Sequence, residues 1–350
     1  MIELVIVECI PIVLLLLFFL VVWNKKQLVN VPFSLCVMIC VVVILSIALL
    51  PNDVSIDKPR YVSLFHARYY WGFQEDYKDP GWAFYVTLCA KLFNNNVFLF
   101  FLSTAAIYVF AYLAFAKRFF EEKAFYFLLM SMGCMGFFSY ATNTIRPGFA
   151  IAFMLLGLCS KNKIWAIFLM ICAVVFHRSM IIPFVAYCAT SIVDKRWMYF
   201  LIWFVCLLLA IINVDLGPLF QAFGFLDDRV ELYAGSINQS MGRYKQGFRW
   251  DFLLYSVFPM IISMYFVHKH KIEDAMFSKV FNMYLLCNSV WLLAIRAMYT
   301  DRLAYLSWFL IPFVVLFPII KYRNEYKNPN LLTFGLMFFF FSINVVLMII

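Results

Sequence analysis

SYATNTIRPGFAIAFMLLGLCSKNKIWAIFLMICAVVFHRSMIIP, residues 139–183, holds two apolar runs, Arg146–Cys159 and Ile164–Phe176, joined by a short turn that carries Lys161 and Lys163. Each run bears positive charge at its far end: Arg146 on one, His177-Arg178 on the other. Two consecutive membrane crossings return a chain to the side it left. Arg146, His177 and Arg178 are therefore expected together on one face and the two lysines on the opposite face.

Composition agrees that membrane is the solvent. Of 350 residues, 65% are hydrophobic and 20% aromatic, while only 13% are charged, with mean hydropathy +0.89. A soluble globule of this size needs more polar surface than that. The net charge of +9 is no argument for nucleic acid, because the basic residues lie between apolar runs, where anionic lipid is the ordinary partner. Cysteines such as Cys36, Cys40, Cys134, Cys159, Cys172 and Cys206 stand inside apolar runs without a CxxC pair and read as small packing hydrophobes, and neither metal nor cofactor is expected.

Apolar runs predict crossings at Ile2–Trp23, Val31–Leu50, Val97–Ala116, Ala124–Tyr140, Arg146–Cys159, Ile164–Phe176, Met180–Ile192, Trp197–Ile212, Phe252–Val267, Phe277–Ile295, Leu303–Ile320 and Leu331–Ile350. The first lacks a basic leader and a small-residue cleavage site, so it reads as a retained span. The fold class expected is an all-α polytopic membrane protein: one integral domain over 1–350, about 11–12 transmembrane helices, and two longer outer loops at about 51–96 and 213–251.

Lysine and arginine divide differently between the two sides. With the loop after the first run inside, Lys58, Lys78, Lys91 and Lys245 fall outside and the other lysines inside, as the positive-inside trend requires. Arg60, Arg68, Arg146, Arg178, Arg229, Arg243, Arg249, Arg296 and Arg302 all fall outside, against that trend. Guanidinium recognises phosphate and carboxylate with paired, permanent donors that ammonium lacks, so an anionic ligand on the outer face is the reading. For any one of them, a snorkelling interfacial role is the competing account.

The first outer loop places Arg60, Leu64, Ala67, Arg68 and Trp71 along one side of a helix suited to the interface. Gly81–Phe93 is apolar but short, as a re-entrant or surface-lying segment would be. The second outer loop carries Asp227, Asp228, Arg229, Glu231, Arg243, Tyr244, Arg249 and Trp250. Aromatic faces and carboxylates suit sugars, and an ordinary aromatic belt explains the same composition. Among candidate bases, His177 stands at a span end beside Arg178, against the simpler role of a helix-end cap. Asp57, Asp79 and the pair Glu75-Asp76 follow. There is no Rossmann glycine pattern, P-loop or HExxH.

Asp57-Lys-Pro-Arg60-Tyr61, Asp79-Pro80-Gly81-Trp82, Asn143-Thr-Ile-Arg146-Pro-Gly148-Phe149-Ala150, Phe176-His177-Arg-Ser179 and Asp301-Arg302-Leu-Ala-Tyr305 together resemble the EpsG-type group of bacterial O-antigen and exopolysaccharide polymerases, the Wzy class. Pro147 stands where the group commonly has glutamine, which removes any catalytic role at that position; proline is comfortable in the first turn of a helix.

The resemblance implies a GT-C-like glycosyltransferase of the bacterial inner membrane, working at the periplasmic face. It would join undecaprenyl-diphosphate-linked oligosaccharide repeat units, with a chain-length regulator as a further partner. On that footing His177 is the base with Asp57 second, and Arg146, Arg178, Arg296 and Arg302 hold the diphosphate. Arg60, Arg243 and Arg249 hold acceptor or product, and Tyr61, Asp79, Tyr244 and Tyr305 complete the substrate contacts. Three other readings stand beside it. An O-antigen ligase would carry one dominant late loop. A polyprenyl-phosphate-dependent transferase would show an acidic pair in the first loop, which Glu75-Asp76 could supply. A flippase or other transporter would carry ionisable residues near mid-membrane.

Overall fold

The computed structural model describes residues 12–20, 25, 27–53, 55, 57–73, 79–222, 247–297 and 299–349. Among them there is helix and no strand. Four helical stretches are long and apolar enough to cross a membrane: Val97–Gly133, Trp250–His270, Asp301–Lys321 and Pro329–Val346. Shorter apolar helices accompany them, as in a polytopic membrane protein. The chain divides into two compact units, Met1–Met180 with Ile319–Ile350, and Ile181–Pro318.

The first unit is built on α1 (12–20), α2 (Phe33–Leu49), α3 (Lys58–Trp71), α4 (Pro80–Leu92), α5 (Val97–Phe120), α6 (Ala124–Gly133), α7 (Phe137–Thr142), α8 (Ile145–Cys159) and α9 (Lys163–Phe176), joined by the C-terminal helix Pro329–Ile349. At 1.5 Å per residue the 24-residue α5 is ~36 Å long. It is flanked by α2 and α8, and α9 lies against α8. The expected hairpin is there. Asn162 starts α9 by accepting from the Ile164 N–H at 2.8 Å, and Gly157 lets the two helices close, since a Cβ there would lie 2.9 Å from Met170.

Both ends of this unit are marked by cations. At one, the Arg118 Nε–H donates to the Cys159 carbonyl at 3.3 Å and the Lys117 ammonium lies 4.8 Å from the Phe33 ring centre. The start of α2, the end of α5 and the lysine turn of the hairpin therefore meet. At the other, the buried Lys58 ammonium donates to the Leu50 carbonyl and sits 4.5 Å from the Phe101 ring centre. Burial lowers the Lys58 pKa to about 8.

Two sequence expectations are corrected here, and a third gains its packing. Ala124–Tyr140 is not one crossing: α6 stops at Gly133, Gly136 takes φ +95°, and a separate α7 follows. Hydropathy is uniform across this break, whereas the left-handed backbone is what glycine permits. Gly81–Phe93, expected as a re-entrant or surface-lying segment, is a short helix with one face in the core. Trp82, Ala83, Val86 and Ala90 of α4 are fully buried, with α3, α5 and α9 packed against the helix. In α3 the buried side is Lys58, Tyr61, Phe65 and Arg68, so Arg60 and Trp71 are exposed, not aligned with Arg68 on one face.

The second unit contains α10 (Ile181–Ile192), α11 (Arg196–Ile211), α12 (Gly217–Ala222), α13 (Trp250–His270), α14 (Ala275–Leu292), α15 (Asp301–Trp308) and α16 (Ile311–Lys321) up to Pro318, which leaves the C-terminal helix of the first unit as α17. Helices α10, α11 and α15 gather on α14. The buried Asn288 accepts from the Trp203 indole at 2.8 Å and donates to Ser256 and Ser307, both at 3.1 Å, while the Trp308 indole donates to Ser256 at 2.8 Å. Because each partner satisfies another, this polar centre fixes one arrangement of the bundle instead of penalising it.

Candidate functional site

Asp79 is the hub of the first unit's charged cluster. It precedes Pro80, which opens α4 at a position where a missing N–H costs nothing, and Gly81, where a Cβ would lie 3.0 Å from the Val175 carbonyl oxygen of α9. The Asp-Pro-Gly sequence thus lets the start of α4 come against the end of α9. An aspartate before a helix commonly caps it, but the Asp79 carboxylate makes no cap bond. Its Oδ2 accepts from Arg146 Nη1 at 2.6 Å and from His177 Nδ1 at 3.1 Å, and its Oδ1 accepts from the Arg178 backbone N–H at 2.9 Å.

Three helix ends supply these groups. Arg146 lies in the first turn of α8, His177 is the residue that ends α9, and Arg178 begins the 3-10 turn Arg178–Met180. The His177 backbone N–H closes α9 on the Ala173 carbonyl at 2.9 Å, so the capping task falls to the backbone and the imidazole is released to Asp79. Pro147 sits in the first turn of α8, as expected. Gly148 brings α7 against α8: a Cβ there would be 2.3 Å from the Tyr140 carbonyl oxygen.

Exposure is graded. The Asp79 side chain is 2% exposed, His177 20% and Arg146 25%, so the carboxylate is the floor and the two nitrogen-bearing groups form the accessible surface. Burial alone would raise the Asp79 pKa. The bond and charge of His177, the charge of Arg146 and the Arg178 N–H outweigh it and hold the carboxyl well below the usual carboxylate range. An ionised carboxylate is acceptor-only, so whenever the imidazole carries a single proton that proton is held on Nδ1 and the Nε2 lone pair is left available. Arg146 and His177 meet on one oxygen, with both nitrogens within 3.1 Å of it.

Beneath the cluster lies an aromatic floor of Tyr61, Phe65, Trp82, Phe100 and Phe149, with Phe153 and Phe176 packed on it. Ring centres are 5.7 Å apart for Tyr61–Trp82, 5.8 Å for Trp82–Phe149 and 4.9 Å for Phe149–Phe176. Each such pair contributes about 0.5–1.5 kcal/mol beyond area burial. Together they lock α3, α4, α8 and α9 under the charged groups.

The family model for EpsG matches residues 34–350, nearly the whole chain. The chain belongs to the EpsG family. Membership carries a polysaccharide-polymerase type of function. Neither curated proteins nor solved structures give a match.

The EpsG sequence motifs quoted above converge only in part. Asp79, Arg146, His177 and Arg178 come together, across sequence separations as large as that between Asp79 and Arg178. Asp57 is 2% exposed and stands at the start of α3, where its N–H donates to Asn143 Oδ1 at 3.2 Å. It is thereby tied to the turn that precedes Arg146. Tyr61 is 5% exposed in the aromatic floor, and Arg60 is exposed on the outer side of α3. Arg243 and Tyr244, with Glu75, Asp76 and the acidic residues Asp227, Asp228 and Glu231, lie outside the described residues.

The remaining EpsG candidates belong to the second unit. Arg249 holds Asp251 with two nitrogens, Nε to Oδ1 at 2.9 Å and Nη2 to Oδ2 at 2.6 Å, and its guanidinium stacks 3.5 Å from the Phe252 ring centre. Arg296 donates to the Ala210 carbonyl at 3.5 Å beside the Phe248 ring, and Arg302 lies 4.9 Å from the Tyr299 ring centre. Tyr305 is 7% exposed against Trp308. Among the described residues no group of three or more His, Cys, Asp or Glu side chains could hold a metal. Sequence reasoning missed the rank of Asp79 and the part played by Asn143. The signal for Asp79 was an acidic residue directly before Pro-Gly; Asn143 opens the quoted Arg146 motif, but no spacing linked it to Asp57.

Proposed function

We propose that this EpsG chain is a glycosyltransferase that polymerises oligosaccharide repeat units carried on a polyprenyl diphosphate, with His177 as the base and Arg146 as the cation for the leaving group. The observation that carries this reading is the shared Asp79 carboxylate, which orients an imidazole and a guanidinium side by side on one accessible face.

The chemistry follows from the atoms. An acceptor sugar hydroxyl attacks the anomeric carbon of the lipid-linked chain. The new C–O bond forms as the bond to the diphosphate breaks, and the hydroxyl proton passes to His177 Nε2. Asp79 stays ionised, fixes the tautomer and stabilises the imidazolium that forms. Charge develops on the departing diphosphate. Guanidinium carries five donors in a fixed fork, so Arg146 can brace Asp79 and still face that anion, with Arg178 adjacent in sequence as the second cation. Preorganised charge of this kind is worth several kcal/mol in a site shielded from water. A single direct displacement inverts the anomeric centre.

The periplasmic location of this face rests on the lysine distribution and on the need for lipid-linked substrate. The test is purified protein mixed with lipid-linked repeat units and resolved as a polymer ladder. Wild type should give a ladder; Arg146→Lys and His177→Ala should each purify as wild type does and lose it. A normal ladder from either variant removes that residue from the site. Movement of labelled lipid between leaflets of vesicles without polymer would replace the polymerase reading by a flippase.

A further inference from the structure

At the end of the first unit away from Asp79, a polar pocket of about 580 Å³ adjoins an apolar groove of about 380 Å³. Volumes of ~300–1,000 Å³ are typical of small-ligand sites. The segment running into α2 separates the two spaces, and its residues alternate between them. Leu28 and Asn30 line the pocket, Val29 and Val31 the groove.

That segment is held from beneath by a buried network. Asn330 Nδ2 donates to the Lys25 and Gln27 carbonyls, both at 2.7 Å; the Tyr126 hydroxyl shares its one proton between the Val29 carbonyl at 3.3 Å and Asn330 Oδ1 at 3.2 Å. Lys123, itself 8% exposed, donates to the Leu28 carbonyl and to Asn30 Oδ1, and Asn30 Nδ2 donates to the Glu122 carboxylate at 2.7 Å. The rim is preorganised, unlike an ordinary loop.

The pocket wall carries Lys123, Arg323 and one carboxylate, Glu122. Lys123 and Glu122 offset each other, and Arg323, whose described bond is to the Ile320 carbonyl at 3.1 Å, leaves the pocket net positive. Lys123 has three N–H donors, of which the two bonds above occupy two. The groove beside it is lined by Leu17, Phe18, Leu35, Met38 and Phe125, with Leu35 and Met38 exposed at its edge. A cationic pocket and an apolar groove on the two sides of one short segment are complementary to one molecule with a charged head and a hydrocarbon tail that straddles it.

We propose that this end of the unit binds an anionic diacyl phospholipid from the leaflet on the lysine-bearing side, with its phosphate against Arg323 and Lys123 and one acyl chain along α1 and α2. Lys117, Lys161 and Lys163 mark the same end, and that side of a membrane is where anionic lipid attracts basic residues. This lipid is distinct from the substrate of the Asp79 cluster, which lies at the opposite end of α8 and α9.

The experiment is native mass spectrometry of the full chain in neutral detergent, titrated with phosphatidylglycerol, with phosphatidylcholine of the same chains, and with glycerol phosphate. Phosphatidylglycerol should be retained at least tenfold more tightly than phosphatidylcholine, and glycerol phosphate should not displace it. Arg323→Gln, at an exposed position, should bring phosphatidylglycerol down to the phosphatidylcholine level. Met38→Trp, which fills the groove, should weaken both lipids. Equal retention of the two lipids, a preference that survives Arg323→Gln, displacement by glycerol phosphate, or indifference to Met38→Trp would each overturn the proposal.

Discussion

Asp79 does for His177 and Arg146 what neither could do alone: it holds two groups that repel when both are charged within reach of one oxygen. Asp79→Asn keeps the shape and one acceptor oxygen but removes the charge. Turnover should fall roughly 10²- to 10⁴-fold, the range general-base catalysis supplies, while the chain still purifies. A ladder at the wild-type rate would reduce Asp79 to a brace. The same carboxyl predicts a pH response. Its folded pKa lies below the free value of about 3.9, so it contributes stability that is fully present above about pH 4 and is lost as pH falls through the folded value. Melting in detergent should therefore drop more steeply for wild type than for Asp79→Asn as pH is lowered from about 4, and the two should run parallel above it. Arg146 and His177 were legible as residues because charge at the end of an apolar run is conspicuous. Their meeting on Asp79 was not, since Asp79 lies in a different loop and no spacing links 79 to 146 and 177.

Glycine contacts set where the helices place those residues. Gly148 follows Arg146 by two positions and faces the Tyr140 carbonyl at a distance that would leave a Cβ at 2.3 Å. Gly148→Ala must push α8 from α7 and carry Arg146 with it, costing about 1–3 kcal/mol and most of the ladder. Gly335 of α17 has nothing within 4 Å of its would-be Cβ, so Gly335→Ala should be neutral or stabilise by about 0.5–1 kcal/mol. Equal melting temperatures for the two variants would contradict this packing. The helix order could be read from apolar runs, as the α8–α9 hairpin shows. Breaks could not. The residues around Gly136 are as apolar as their neighbours, so the end of α6 and the start of α7 are decided by one left-handed residue and not by hydropathy. The buried side of α3 was also hidden, because Lys58 and Arg68 are charged and yet face inward.

Across the first unit Lys117, Lys161 and Lys163 gather at one end while Arg146 stands at the other with the buried Lys58, and the uneven spread of lysine predicts which way the chain lies in the membrane. Lysine is a compact, strongly hydrated charge that orients helices, whereas the guanidinium of Arg146 is committed to a buried carboxylate. If the lysines orient the chain, Lys161 faces the cytoplasm and the exposed Tyr70, on α3 at the Asp79 end, faces the opposite compartment. His66 and Tyr69 of α3 bond Asn95 and Asn94, both at 2.7 Å, which ties that helix to the start of α5. Its position is thus set by the same element whose far end carries Lys117. Cysteines introduced at Tyr70 and at Lys161, with the native cysteines replaced, give the reading. A membrane-impermeant maleimide should label Tyr70→Cys in intact spheroplasts and Lys161→Cys only after permeabilisation. The reverse pattern would put the Asp79 cluster in the cytoplasm, where the polymerase scheme has no substrate. Labelling of both in intact cells would mean that no membrane separates the two ends of α8, and the polytopic placement of this unit would fall with it.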